Sequence, residues 1–131
     1  VQYSAASMVS ENKVLAHPAS VDSIPSSANQ EDMVSMGTTA ARKSGWIVQN
    51  TLSVLADELL TACQAIDIRR RLNTHGQGIS PVHQKVFDRV RKDIAFYETD
   101  RELWQDIQAA EKLVRSGELL EIVHETVSDF E

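Results

Sequence analysis

The sequence predicts an all-α fold, and three observations carry that prediction. Apolar residues recur at spacings of three and four along most of the chain, the period of one helix face. No stretch alternates apolar and polar residues with the period of two that a half-buried strand requires, and no segment repeats another. Pro18 and Pro25 fall between the periodic stretches, Gly76, Gly78 and Gly117 end them and Pro81 opens one, while Gly37 and Gly45 lie within the longest. A chain of 131 residues has room for one domain with a real core.

Taken in order, residues 1–16 read as a helix with Ala5, Met8, Val9, Asn12 and Leu15 at helical spacing. His17-Pro18 ends it, because the residue before proline is pushed out of the helical region. Residues 17–31 form a polar loop rich in Ser, Asp and Asn, with Val21 and Ile24 as its expected apolar anchors and Pro25 as a further breaker. A long helix is expected over 32–73, with Asp32 as its cap. Its seam is Val48, Leu52, Leu55, Leu59, Ala62 and Ile66, and Trp46, Ile47, Leu60, Cys63 and Ile68 widen the stripe. At a rise of 1.5 Å per residue such a helix is about 60 Å long, against a radius of gyration of roughly 14 Å for a globule of this size. The long helix is therefore expected to find neighbours beyond this chain.

Arg69-Arg70-Arg71 lie in its last turns, where cations oppose the negative end of the helix dipole. Thr74-His75-Gly76-Gln77-Gly78 supplies the stop. A helix over 80–97 starts at Ser80-Pro81, serine as cap and proline at the first helical position, and carries Val82, Val86, Val90, Ile94 and Tyr97 on its apolar face. The next, over 101–116, has Asp100 as its cap and Leu103, Trp104, Ile107, Ala110 and Leu113 on one side. Gly117 breaks it, and an amphipathic piece over 118–127 carries Leu119, Leu120, Ile122 and Val123.

Composition bounds the function. With 42% hydrophobic and 24% charged residues the chain reads as globular rather than disordered. A net charge of -6 argues against sequence-independent nucleic-acid binding, which needs a basic face. No apolar run approaches the ~20 residues of a membrane span. Val1-Gln2-Tyr3-Ser4 lacks the pattern of a secretion signal, so a cytoplasmic chain is expected. The start at Val1 without methionine reads as a segment of a longer protein. The lone cysteine, Cys63, has no disulfide partner and reads as a small buried apolar group. His17, His75, His83 and His124 show no ligand spacing, so no metal site is expected, and no glycine-rich phosphate loop is present.

What remains for chemistry is Asn29-Gln30-Glu31-Asp32, two amides followed by two carboxylates at the start of the long helix. On residue types alone two readings stand. In one, Asp32 caps the helix and Ser27 and Asn29 satisfy free backbone donors, leaving Gln30 and Glu31 solvated. In the other, Gln30 and Glu31 face a pocket, the amide giving directional hydrogen bonds and the carboxylate accepting a proton or an N–H.

Three stretches weigh on that choice: Ser10-Glu11-Asn12-Lys13, the run from His17-Pro18-Ala19-Ser20 through Ser26-Ser27-Ala28-Asn29-Gln30-Glu31-Asp32, and Val34-Ser35-Met36-Gly37. Together they closely resemble the C-terminal part of the histidine ammonia-lyases, within the aromatic amino-acid lyase and aminomutase family. The resemblance is nearly ungapped from Gln2 to about Lys43. It implies a homotetrameric, mostly helical enzyme that eliminates ammonia from L-histidine to give urocanate. It further implies a 4-methylideneimidazole-5-one (MIO) prosthetic group formed from an Ala-Ser-Gly triplet. This chain contains no such triplet, so by itself it is expected to be inactive. Its expected partners are the remainder of a lyase chain, neighbouring subunits and the amino-acid substrate.

By position, Glu31 matches the family's active-site glutamate, near the substrate imidazole, and Gln30 the neighbouring amide that supports the pocket. A carboxylate suits an imidazole N–H, whereas a phenyl ring offers none. Met33 departs from the pattern, standing where histidine ammonia-lyases usually carry a histidine. A tyrosine or phenylalanine lyase or aminomutase is the alternative enzyme reading, and a non-catalytic helical oligomerisation module the alternative outside enzymes.

Overall fold

Helices account for nearly all the regular structure in the computed structural model, which describes residues 1–72 and 78–127. Helix α1 is Gln2–Leu15, α2 Gly37–Arg71, α3 Pro81–Asp93, α4 Trp104–Ser116 and α5 Glu118–Thr126. Two short 3-10 turns, Ala19–Asp22 and Ser27–Asn29, interrupt the segment between α1 and α2. The all-α expectation holds, and among the described residues the sole β-type pairing is an isolated bridge between Ser26 and Glu31. No described helix is long and apolar enough to cross a membrane. The expected stop at residues 74–78 lies outside the described residues except for Gly78, as do His75 and the expected last helical residue, Asn73.

The chain divides into two compact units, Val1–Val54 and the residues from Leu55 onward, with α2 contributing to each. The second unit holds the core. Ala56, Leu60 and Cys63 from α2 pack with Phe87 and Val90 of α3, with Ile94, and with Ala110 and Leu113 of α4. Leu59, Ile66, Ile79, Ile107, Ala109 and Leu119 pad this cluster. The inward face of α2 is thus rotated from the expected seam, leaving Leu55 and Val48 exposed. Helical periodicity in an apolar-rich stretch admits more than one stripe, and the packing of α3 and α4 selects among them. Cys63 is buried at 3% exposure, as a small apolar group would be.

Polar pairs tie this unit together. Arg91 reaches Asp67 at 2.7 Å, and the Gln64 amide donates to the Tyr97 carbonyl at 2.7 Å. Arg89 grips both Glu118 oxygens at 2.5 and 2.8 Å, fastening α3 to the start of α5. These hydrogen bonds hold the Glu118 carboxyl below its ordinary range. Of the arginine triplet, Arg70 bonds Gln84 and lies over the Phe87 ring, while Arg71 pairs with Glu98 and lies over Phe96. These contacts add to the helix-end placement expected for the cluster.

Several helix boundaries differ from expectation, those of α1 by one residue at each end. The long helix begins at Gly37, not Asp32: residues 32–36 are non-helical, Met36 has a left-handed φ of 53°, and the Ala40 N–H donates to the Met36 carbonyl at 3.0 Å. Asp32 is therefore not its cap. Helix α3 starts after Ser80 as expected, with the serine hydroxyl accepting from the His83 N–H, but it ends at Asp93 instead of residue 97. There Ile94 turns extended (φ -124°, ψ 109°), its N–H still donating to the Val90 carbonyl, and its side chain is buried at 1% exposure. Helix α4 begins at Trp104 rather than residue 101, since the cap position is Leu103 and Asp100 makes no cap. Asp106 in its first turn pairs with Arg101 at 2.6 Å. Gly117 ends α4 in the left-handed region at φ 80°, and α5 closes at Thr126, one residue short of 127.

Candidate functional site

Within the first unit, the polar loop between α1 and α2 is built from backbone and hydroxyl groups rather than from apolar packing. Helix α1 ends where the Ala16 N–H donates to the Asn12 carbonyl and the His17 N–H to that of Val14. The Lys43 ammonium caps this end by bonding the His17 carbonyl. No side chain of the loop is buried, and the expected anchors Val21 and Ile24 are 62% and 63% exposed.

Two closures shape the loop instead. The inner one joins Ser26 and Glu31 by reciprocal backbone bonds, Ser26 N–H to Glu31 O at 2.7 Å and Glu31 N–H to Ser26 O at 3.3 Å. Within it the Gln30 N–H donates to the Ser27 carbonyl at 3.1 Å. The outer closure runs from the Val34 N–H to the Ser23 hydroxyl oxygen at 2.7 Å, across eleven residues. The Ser26 hydroxyl also approaches the Glu31 carboxylate at 3.5 Å.

Inside the inner closure the chain turns through three consecutive non-glycine residues in the left-handed region, Ser27, Ala28 and Asn29, at φ 53°, 57° and 67°. Asparagine tolerates that region, but a Cβ on alanine costs roughly 1–2 kcal/mol there. Strain of this kind concentrates where a chain must present particular groups. Replacing Ala28 with glycine should raise stability by about 0.5 kcal/mol, the relieved Cβ contact outweighing the added entropy of the unfolded chain. A lower Tm for Ala28→Gly would contradict this.

Gln30 and Glu31 emerge from this turn side by side and exposed. The expectation that Asp32 caps a helix beginning at once, with Ser27 and Asn29 serving its free donors, fails on the five non-helical residues that follow Glu31. Gln30 and Glu31 are both exposed, as each of the two readings requires of them within this chain. Met33 stands on the same segment at 86% exposure. The Ser23 contribution leaves no local pattern in the sequence, because its hydroxyl bonds a backbone group eleven residues away.

A separate shallow groove of about 320 Å³ lies between α1 and the first part of α2, lined by Glu11, Leu15, Trp46, Gln49 and Asn50. Its floor is braced by the Asn50 amide, which donates to Glu11 at 2.7 Å and Asn12 at 3.0 Å. Arg42 lies over the Trp46 ring at 5.4 Å. Among the described residues no three His, Cys, Asp or Glu side chains gather as a metal site.

Comparison with known proteins places these features. The family model for aromatic amino acid lyase matches residues 1–92. Histidine ammonia-lyase 1 of Fusobacterium nucleatum is 52% identical over 131 residues, all of this chain and 25% of that protein. The histidine ammonia-lyase of Clostridium tetani is 52% identical over 127 residues, 96% of this chain and 24% of its own length. Among solved structures, histidine ammonia-lyase from Trypanosoma cruzi superposes with a TM-score of 0.82 at 43% identity, over 93% of this chain and 23% of that one. Tyrosine aminomutase from Streptomyces globisporus gives 0.84 at 32% identity, over 99% and 24%. The chain thus spans about a quarter of the length of the relatives it matches.

Proposed function

We propose, from the premise that this chain belongs to the aromatic amino acid lyase family, that it supplies one wall of a histidine ammonia-lyase active site. The observation that carries this is the 52% identity along all 131 residues to a histidine ammonia-lyase, with Glu31 and Gln30 standing exposed on a doubly closed loop. The reaction breaks the Cα–N bond of L-histidine and removes a Cβ proton, giving urocanate and ammonia. Glu31 accepts the imidazole N–H and holds the ring, and a carboxylate there also serves as a proton acceptor. Gln30, its neighbour, fixes the pocket edge by hydrogen bonding.

The MIO group expected of the family would supply an electrophile that turns the amino group into a leaving group. This chain has no residues that would form that group: it contains no Ala-Ser-Gly triplet. The chain by itself is accordingly proposed to be inactive. The remainder of a lyase chain and neighbouring subunits of a cytoplasmic homotetramer are the proposed partners.

Assay of the intact protein against L-histidine, L-tyrosine and L-phenylalanine tests the reading. Urocanate from histidine, with little turnover of the other two, is the expected result. The second reading is a tyrosine aminomutase or lyase, favoured by the superposition on tyrosine aminomutase over 99% of the chain and by Met33 in place of the family's usual histidine. Turnover of tyrosine without urocanate formation would replace the first reading by the second.

A further inference from the structure

We propose that Ser23 is a positioning residue for Glu31, acting through the hydrogen bond that its hydroxyl oxygen accepts from the Val34 N–H. The proposal rests on the active-site reading of Glu31. Its physical basis is that this bond joins the segment following the glutamate to the segment entering the turn.

From Val1 through the start of α2 no side chain is buried within this chain, so the contacts it makes to hold the loop are hydrogen bonds. Val21 and Ile24, which the sequence offered as apolar anchors, stand more than half exposed. The inner closure at Ser26 and Glu31 fixes the turn itself but leaves the chain leaving Glu31 unconstrained on that side. Asp32 and Met33 are exposed and in no regular structure. The next fixed point is Val34, whose N–H meets Ser23 at 2.7 Å. Both residues are half-buried, which shields this bond from water more than the 3.5 Å contact between the exposed Glu31 carboxylate and the Ser26 hydroxyl. Beyond it, Met36 turns left-handed and α2 begins. Ser23 therefore ties the strand leaving Glu31 to the strand entering the turn, and the glutamate sits between two fixed ends.

A group that must meet a substrate atom at hydrogen-bond distance has to be held to within about 0.5 Å by its supporting contacts. Removing the Ser23 hydroxyl returns the Val34 N–H to water and frees residues 32–36 to shift. The expected loss is modest in size and specific in kind, because Glu31 is still present but less well aimed.

The test uses the intact lyase, with kcat and KM for L-histidine measured for Ser23→Ala, Ser23→Thr, Glu31→Gln and the double variant Ser23→Ala/Glu31→Gln. Ser23→Ala should lower kcat/KM roughly fivefold, the worth of one hydrogen bond, while Ser23→Thr, which keeps the oxygen, should restore most of it. In the Glu31→Gln background Ser23→Ala should change kcat/KM by less than about twofold, since its effect passes through the missing carboxylate. Unchanged assembly, with a Tm lowered by no more than the loss of one hydrogen bond, should accompany these results. Full additivity of the two substitutions, no loss in Ser23→Ala, or no recovery in Ser23→Thr would overturn the role of Ser23 while leaving Glu31 in place. An unimpaired Glu31→Gln enzyme would overturn the reading of Glu31, and this proposal with it. If Ser23→Ala does not assemble, Ser23→Cys carries the same comparison, its sulfur being a weak acceptor at the same place.

Discussion

Glu31→Gln in the intact protein is expected to lower kcat/KM for L-histidine about 100-fold, or ~2.7 kcal/mol of transition-state stabilisation. Glutamine keeps the shape and an acceptor oxygen but loses the charge. A hydrogen bond to a charged group contributes about 1.5–3 kcal/mol where a neutral one contributes about 1 kcal/mol, and a positioned proton acceptor adds typically 10²–10⁴-fold. The loss should be selective. A phenyl or phenol ring has no imidazole N–H to offer, so residual turnover of tyrosine or phenylalanine should fall far less than that of histidine. Equal losses on all three substrates would assign Glu31 to the shared amino-acid end of the substrate, and a change within about twofold would remove it from the site altogether.

What was legible beforehand divides along the range of the interactions involved. Ser80-Pro81 as a helix start, His17-Pro18 and Gly117 as stops, and the burial of Cys63 all follow from local rules, and the structure shows each. The start of α2 was misplaced because an acidic residue after a polar loop looks like a cap, whereas the actual boundary is set by a left-handed Met36 and a bond from Val34 back to Ser23. The buried stripe of α2 was rotated for a related reason: which of two apolar rows turns inward depends on Phe87, Val90 and Leu113 in other helices. At the candidate site, residue types and a family resemblance drew attention to Gln30 and Glu31. The three left-handed residues that present them carry no glycine to announce the turn. Chemistry was visible in the residue types, while the aim of those residues was held in contacts distant in sequence.

Asp57→Ala is expected to stabilise the protein by about 1–3 kcal/mol at neutral pH, the usual worth of relieving a buried polar group that lacks a partner. The direction is opposite to that of most truncations in a core. Asp57 lies on α2 between the buried Ala56 and Leu60, is 2% exposed, and finds no donor for either carboxylate oxygen among the described residues. Asp106, also buried, has Arg101 at 2.6 Å, so the two carboxylates differ in compensation rather than in depth. Alanine removes the charge, leaves only a small void and favours the helix by a few tenths of a kcal/mol.

Burial pushes the Asp57 carboxyl up from its ordinary value of 3.8, and the sign of the pH dependence follows from that. A folded-state pKa above the unfolded one means that the native chain binds the proton more tightly. The associated stability is then full below the unfolded value and is lost as pH rises through the folded one. Wild-type protein should therefore lose stability from the ordinary carboxylate range upward, while Asp57→Ala should not share that loss. In thermal unfolding of the intact protein the gap between the two should be widest near neutrality and narrow as pH falls toward the ordinary carboxylate range. A destabilised Asp57→Ala at neutral pH, or a gap that does not vary with pH, would mean that Asp57 has a donor in the folded protein and is ionised at no cost.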